Sequence, residues 1–218
     1  DLGIAFDGDA DRLGVISDKG EILWGDKLLL LFARHILKKS PRSTIIGEVK
    51  CSQILYDDIR KHSGNAIMWK AGHSLIKAKM KEEKALLGGE MSGHIFFADR
   101  YFGYDDAIYA ALRLLEIISQ TNKKISELFA DVPKTCSTPE IRVDCPDNRK
   151  AEVVQRIKKH FQDTPDVVDI DGIRIPFRDG WALVRSSNTQ PVIVLRFEAT
   201  SEKKLQLIRD EVEPLLDV

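Results

Sequence analysis

The 218-residue sequence predicts an α/β chain: a mixed, mainly parallel sheet domain flanked by helices, followed by a smaller α+β domain with an antiparallel sheet. Three observations predict it. Over residues 26–132, helical stretches alternate with short apolar runs, the pattern of βα units. From residue 139 onward, strand-like runs cluster around two turn signals, "DIDGI" and "RDGW", which read as hairpins. The composition, 43% apolar and 31% charged, is enough to bury a sizeable core in one or two domains.

In chain order, the apolar runs 2–6 and 13–16 read as strands flanking an acidic loop. Asp26 or a residue near it is the candidate cap of a helix running to Lys39, Ser52 caps a helix to His62 that Gly64 ends, and Ser74 starts a Lys-rich helix to Lys84. Between them, "TIIGEV", "AIMW" and "ALLGG" read as strands. Asp105 opens an apolar helix over 106–120, and Ser126, Leu128 and Phe129 suggest a short terminal helix before Pro133. A linker falls at 130–137. Beyond it come strand "EIRVD", helix "NRKAEVVQRIKKHF", strands "VVDI", "IRIPF", "WALVRS" and "VIVLRFEA", and a helix over 202–216.

With 33 basic and 34 acidic residues, no net field favours nucleic acid or a membrane surface, so a small-molecule partner is expected. Cys51, Cys136 and Cys145 are odd in number and lack C-x-x-C spacing, which argues against a disulfide framework or a zinc site and fits a reducing cytoplasm. The apolar run 28–33 is too short to span a bilayer and follows no signal-peptide pattern. Asp1 is not a methionine and the first apolar run reads as the middle of a buried strand, so the chain is expected to begin partway through a larger protein.

Four loops carry chemistry. In "AFDGDADRLGV", Asp7, Asp9 and Asp11 alternate beside Gly8, with Arg12 next; carboxylates so crowded either face water on a surface turn or converge on a hard divalent cation. "GGEMSGH" presents Glu90, Ser92 and His94 among glycines, groups able to bond hydroxyls, although a plain turn is the alternative. "RSSNTQP" concentrates Arg185, Ser187, Asn188 and Thr189 between strong strands, an inventory for binding an anion or the make-up of a polar hairpin tip. "VKCS" and "WKAGHS" place Lys50, Lys70 and His73 at strand ends, where open α/β sheets bind ligands.

Together with "WKAGHSLIK" and "FGYDDAIYAA", these loops resemble those of the α-D-phosphohexomutase family, most closely its bacterial dual-specificity members acting on mannose and glucose phosphates. The resemblance implies that Asp7, Asp9 and Asp11 hold Mg²⁺, that Glu90 and Ser92 bind sugar hydroxyls, and that Arg185, Ser187, Asn188 and Thr189 bind the substrate phosphate. It places Arg12, Lys50, His73 and His94 at the reacting end, with Arg12, Lys50 and His94 in catalytic roles and Lys70, His73 and His94 among the substrate ligands. The implied partners are a phosphorylated hexose, a hexose 1,6-bisphosphate intermediate and the missing N-terminal domains of the same protein.

In that family a phosphoserine in a "T-x-S-H-N-P"-type loop gives its phosphoryl group to the sugar, and nothing like that loop occurs in this sequence. The resemblance therefore covers about the last half of such an enzyme: residues 1–21 as the end of domain two, 22–132 as domain three and 133–218 as domain four. Alone, the chain is expected to be inactive. Two other classes stay open. One is a phosphosugar-binding fragment without catalysis; the other is a haloacid dehalogenase-like phosphatase, in which "GEMSGH" and "RSSNTQP" have no role. A phosphoglucosamine mutase relative also fits, because several hexoses share the hydroxyls that Glu90 and Ser92 would meet.

Overall fold

The computed structural model describes residues 1–217 and divides into two compact units, Asp1–Val132 and Pro133–Val218. The first unit opens with a three-stranded antiparallel sheet of β1 (Gly3–Phe6), β2 (Leu13–Ile16) and β3 (Ile22–Leu23). It continues through α1 (Gly25–Lys39), β4 (Thr44–Glu48), α2 (Gln53–Lys61), β5 (Asn65–Trp69), α3 (His73–Glu83), β6 (Leu87–Gly89), β7 (Ile95–Phe97) and α4 (Ala107–Ser119) to a 3-10 turn at Ile125–Phe129. The second sheet has the order β5-β4-β6-β7, with β4 parallel to both neighbours and β7 antiparallel to β6. Buried Leu28, Leu29, Phe32 and Ile36 of α1 pack with Ile45, Leu87 and Phe97 of the sheet and Ala110 and Leu114 of α4. Among the described residues no helix is long and apolar enough to cross a membrane.

The second unit contains β8 (Cys136–Ser137), β9 (Ile141–Asp144), α5 (Asp147–His160), β10 (Ile173–Phe177), β11 (Gly180–Ser186), β12 (Val192–Ala199), α6 (Glu202–Val212) and a 3-10 turn at Glu213–Leu215. β10, β11 and β12 pair antiparallel in order, and β8 and β9 share the far edge of β12. Every residue of β12 is buried, as befits a central strand covered on both faces. Val153 and Ile157 of α5 and Leu205 and Ile208 of α6 supply apolar cover.

Several local expectations need correction. Asp26 does not cap α1: Trp24 is the cap residue and Asp26 lies in the first turn, its carboxylate accepting from the N–H groups of Lys27 and Ser52, both at 2.9 Å. α3 starts at His73 behind Gly72, whose φ of +134° suits glycine, rather than at Ser74. "VVDI" forms no strand. Val168 makes a single bridge with Arg174, because the chain turns at Gly172 (φ +75°) and the other edge of β10 is already committed to β11. "RDGW" does close a hairpin, Phe177 pairing with Gly180. The last helix ends at Val212, two residues before Pro214, which has no N–H to continue it. β3, β7 and β8 escape the sequence reading because two or three residues carry no detectable period. None of the three cysteines is in a disulfide.

Candidate active site

Residues 7–12 join β1 to β2. Ala10 takes φ +59° and donates its N–H to Asp7 O at 3.2 Å, reversing the chain, while its carbonyl accepts from Ala107 N at 3.0 Å and so fixes the loop to the first turn of α4. Asp7, Asp9 and Asp11 each present an oxygen within 4.8 Å of the others. Arg12 supplies the counter-charge: its backbone N–H donates to Asp7 Oδ1 at 3.1 Å and its Nε to Asp7 Oδ2 at 2.5 Å, with Asp11 Oδ1 at 3.7 Å. Desolvation pushes the Asp7 pKa up, but the Arg12 hydrogen bonds and charge outweigh it and hold the carboxyl at about 2. Asp11 Oδ1 is buried and accepts no hydrogen bond among the described residues. Three convergent carboxylates, one with an oxygen lacking a donor, fit a hard divalent cation.

The loop between β6 and β7 is set against this one. Glu90 N donates to His94 O at 2.9 Å, and Leu13 N donates to Gly93 O at 3.0 Å. Gly93 has φ +102°, and a Cβ there would stand 2.7 Å from Leu13 O. Gly25 N donates to Met91 O at 3.1 Å, and a Cβ on Gly25 would strike Glu90 O while standing 2.8 Å from Gly93 N. The start of α1 is thus pressed onto the loop backbone. Gly25→Ala is expected to cost about 1–3 kcal/mol, as over-packing against backbone does, and to lower the urea midpoint; an unchanged midpoint would contradict this contact.

Glu90 is buried and its carboxylate is gripped from behind: Oε1 accepts from Gly72 N at 2.7 Å and Oε2 pairs with His94 Nδ1 at 2.9 Å. Each oxygen keeps a lone pair for another donor. Burial would raise the Glu90 pKa, but the hydrogen bonds from His94 and Gly72 and the charges of His94 and Lys50 bring it below its ordinary value. His94 is the mirror case: burial lowers its pKa, and Glu90, then Asp11 and Asp105, lift it above 6.5. Its Nε2 lies 3.4 Å from Asp11 Oδ1, which joins the two loops. Ser92 Oγ is 3.1 Å from His94 Nδ1.

A pH dependence of stability follows, with opposite signs for the two partners. The Glu90 contribution is present above its ordinary value of 4.5 and lost as pH falls through its depressed pKa; that of His94 is full below 6.5 and lost as pH rises through its raised pKa. Stability from the pair is therefore expected to peak between those values and decline toward alkaline pH. His94→Gln should flatten the alkaline decline in urea titrations at stepped pH; an unchanged slope would exclude the pair as its source.

At the carboxyl ends of the parallel strands, Lys50 follows β4 with its side chain 13% exposed and Nζ 3.5 Å from Glu48 Oε1, while that oxygen also accepts from Met91 N at 3.1 Å. His73 is exposed, its Nδ1 3.5 Å from Asp105 Oδ2, and its ring stacks on that of His94 at 5.8 Å. Lys70 is exposed beyond β5, and no hydrogen bond or ion pair joins it to the group around His94 among the described residues. The sequence reading missed Asp105 as a site residue. It pairs with Lys77 at 3.0 Å, and burial, which raises its pKa, is outweighed by Lys77 and His94, which lower it. A signal existed: Asp106 caps α4 by accepting from Tyr109 N at 2.8 Å, so the other aspartate of "YDDAIYA" had no helix-capping role.

In the second unit the expected phosphate loop follows β11. Arg185, buried on that strand, donates from Nε to Asp171 Oδ2 at 3.0 Å, a partner the sequence reading overlooked by treating "DIDGI" as a turn. Its two Nη groups donate to nothing among the described residues. Ser187 is also buried; its Oγ accepts from Thr189 N at 3.3 Å and Gln190 N at 3.1 Å, so this hydroxyl shapes the loop. Asn188 and Thr189 are exposed.

Fold and donor set define a two-unit α/β protein that gathers carboxylate, imidazole and ammonium groups at the carboxyl ends of parallel strands. The chain belongs to the phosphoglucomutase/phosphomannomutase family: residues 24–136 match its alpha/beta/alpha domain III and residues 140–215 its C-terminal domain. It is 49% identical over 211 residues to phosphomannomutase/phosphoglucomutase of Pseudomonas putida, covering 96% of this chain and 46% of that protein. It is 42% identical over 220 residues to phosphoglucomutase of Neisseria gonorrhoeae, covering 100% and 48%. The crystal structure of a phosphoglucomutase/phosphomannomutase family protein from Burkholderia thailandensis superposes with a TM-score of 0.91 at 44% identity, over 99% of this chain and 46% of that one. The chain thus spans about half the length of the relatives it matches.

Proposed function

We propose that the chain is the C-terminal part of a cytoplasmic phosphohexomutase that interconverts hexose 1-phosphate and hexose 6-phosphate, mannose and/or glucose, with a phosphoserine carried by the rest of the protein. The observation that carries the reading is the position of His94, bonded through Nδ1 to Glu90 and 3.4 Å through Nε2 from Asp11, so that hydroxyl-binding and cation-binding groups meet at one imidazole. In this reading residues 1–21 complete domain two, 22–132 form domain three and 133–218 domain four.

Asp7, Asp9 and Asp11 would hold Mg²⁺, which when bound supplies charge neutralisation to the transferring phosphoryl group. Arg12, locked to Asp7, adds fixed positive charge beside that loop. Glu90 and Ser92 take sugar hydroxyls, and His94, in its protonated form, donates a hydrogen bond or proton from Nε2 at the reacting oxygen. Lys50 provides a second cation behind the loop, and Lys70 and His73 bind substrate. Arg185 through its Nη groups, with Ser187, Asn188 and Thr189, takes the phosphate that is not reacting. The phosphoserine would pass its phosphoryl group to the free hydroxyl, the resulting hexose 1,6-bisphosphate would reorient, and the other phosphate would return to the serine.

The complete protein encoded by the parent reading frame, assayed with Mg²⁺ on mannose 1-phosphate, glucose 1-phosphate and N-acetylglucosamine 1-phosphate, tests this. Turnover of either of the first two is expected, and turnover of none of the three would sink the proposal. The third is included because N-acetylphosphoglucosamine mutase of Aspergillus fumigatus, solved with GlcNAc-6P and magnesium, shares the fold at a TM-score of 0.73 and 15% identity. In the present chain Mg²⁺ is expected to bind only weakly, since it keeps several waters and draws on phosphate oxygens for the rest of its shell. Micromolar affinity by calorimetry, abolished in Asp9→Asn, would contradict that.

A further inference from the structure

The loop Ser187–Gln190 is held from outside by one side chain that no motif singled out. Lys150 lies in the first turn of α5, 37 residues upstream of Ser187, and its Nζ donates to Ser187 O at 2.8 Å and Gln190 O at 3.0 Å. Its remaining contact is Asp147 Oδ1 at 2.6 Å. Of the three N–H donors of the ammonium, two go to these carbonyls, and the Asp147 carboxylate beside them neutralises the charge. The side chain is only 13% exposed, so this is a seated group rather than a solvated surface lysine.

The two carbonyls it binds stand at the two ends of the loop. Inside the same turn, Ser187 Oγ collects the N–H groups of Thr189 and Gln190. Lys150 therefore closes the loop by its carbonyls while Ser187 closes it by its amides, and the exposed side chains of Asn188 and Thr189 are presented on a ring fixed from both sides. We propose that Lys150 is the positioning residue of the anion-binding loop: it acts through backbone carbonyls, makes no contact with the anion itself, and fixes the spacing of Asn188 and Thr189. This rests on the reading of "RSSNTQP" as a phosphate site. The Lys150 ammonium is committed to two loop carbonyls and the Asp147 carboxylate, which separates its role from that of Arg185.

The test uses the ¹⁵N-labelled 218-residue chain, with inorganic phosphate as the probe. Lys150→Met keeps the apolar stem and removes the donors; Lys150→Arg restores donors that can reach both carbonyls. In Lys150→Met the amides of residues 187–190 are expected to show faster hydrogen exchange and lower order parameters, and the phosphate dissociation constant to rise about fivefold or more, with the rest of the spectrum unchanged. Lys150→Arg should recover most of both effects. Loop dynamics and phosphate affinity unaltered in Lys150→Met would overturn the proposal, as would a loss of thermal stability with no change at the loop. If the unaltered chain binds no phosphate, the anion reading of the loop fails, and the exchange data still decide whether Lys150 orders it.

Discussion

The purified 218-residue chain is expected to show no interconversion of glucose 1-phosphate and glucose 6-phosphate. The proposed mechanism splits one difficult transfer into two through a covalent phosphoserine, and the sequence contains no serine in a "T-x-S-H-N-P"-type loop. The groups it does contain, the aspartate loop, Arg12, Lys50 and His94, position and neutralise charge but cannot carry the phosphoryl group. Electrostatic assistance has no donor to act on. The loss should be complete against background, and activity that scales with chain concentration, in preparations free of contaminating mutase, would overturn both this expectation and the assignment of the phosphoryl carrier to another part of the protein.

In the complete enzyme, Arg185→Ala is expected to lower kcat/KM by about one to three orders of magnitude, the loss of a charge-assisted bidentate contact worth about 1.5 to 4 kcal/mol. Arg185 is held through Nε by Asp171, which leaves the paired Nη groups as the free edge of the fork. A lysine would keep the charge but could not both meet Asp171 and present two parallel donors, so Arg185→Lys should fall close to the alanine variant rather than to the parent. Arg185→Ala also strips Asp171 of this partner, so stability has to be followed in parallel. Asp171→Asn serves as the control, because it perturbs the same pair while leaving the guanidinium in place, and a smaller kinetic loss is expected. Unchanged kinetics in Arg185→Ala would remove this loop from the site and return "RSSNTQP" to a hairpin tip.

Much of the fold was legible because long elements carry their own period. The alternation of helical and apolar runs up to residue 132 became four helices and a mixed sheet, and Ser52 caps α2 through Ile54 N as its position suggested. Misreadings concentrate where an element is too short for a period or where a local signal meets a tertiary competitor. Asp26 has the chemistry of a cap, but Gly25 must lie against Met91 and Glu90, so the helix begins two residues sooner and the carboxylate serves Ser52 instead. "VVDI" is apolar and β-branched, yet only Val168 finds a partner.

By itself the sequence determined which polar groups exist and where along the chain they sit: Asp7, Asp9 and Asp11 beside Arg12, Glu90, Ser92 and His94 among glycines, and Arg185 before two serines. These are local facts, fixed by residue type and spacing along a few consecutive positions. Only the tertiary structure decided what those groups are bound to. Asp105 faces His73 and Lys77, Asp171 holds Arg185, and Lys150 closes a loop whose nearest residue is 37 positions away. A hydrogen bond is specified by an approach of about 3 Å between two groups, and when those groups lie far apart in the chain, strand order and register set the approach. No spacing within either segment records it.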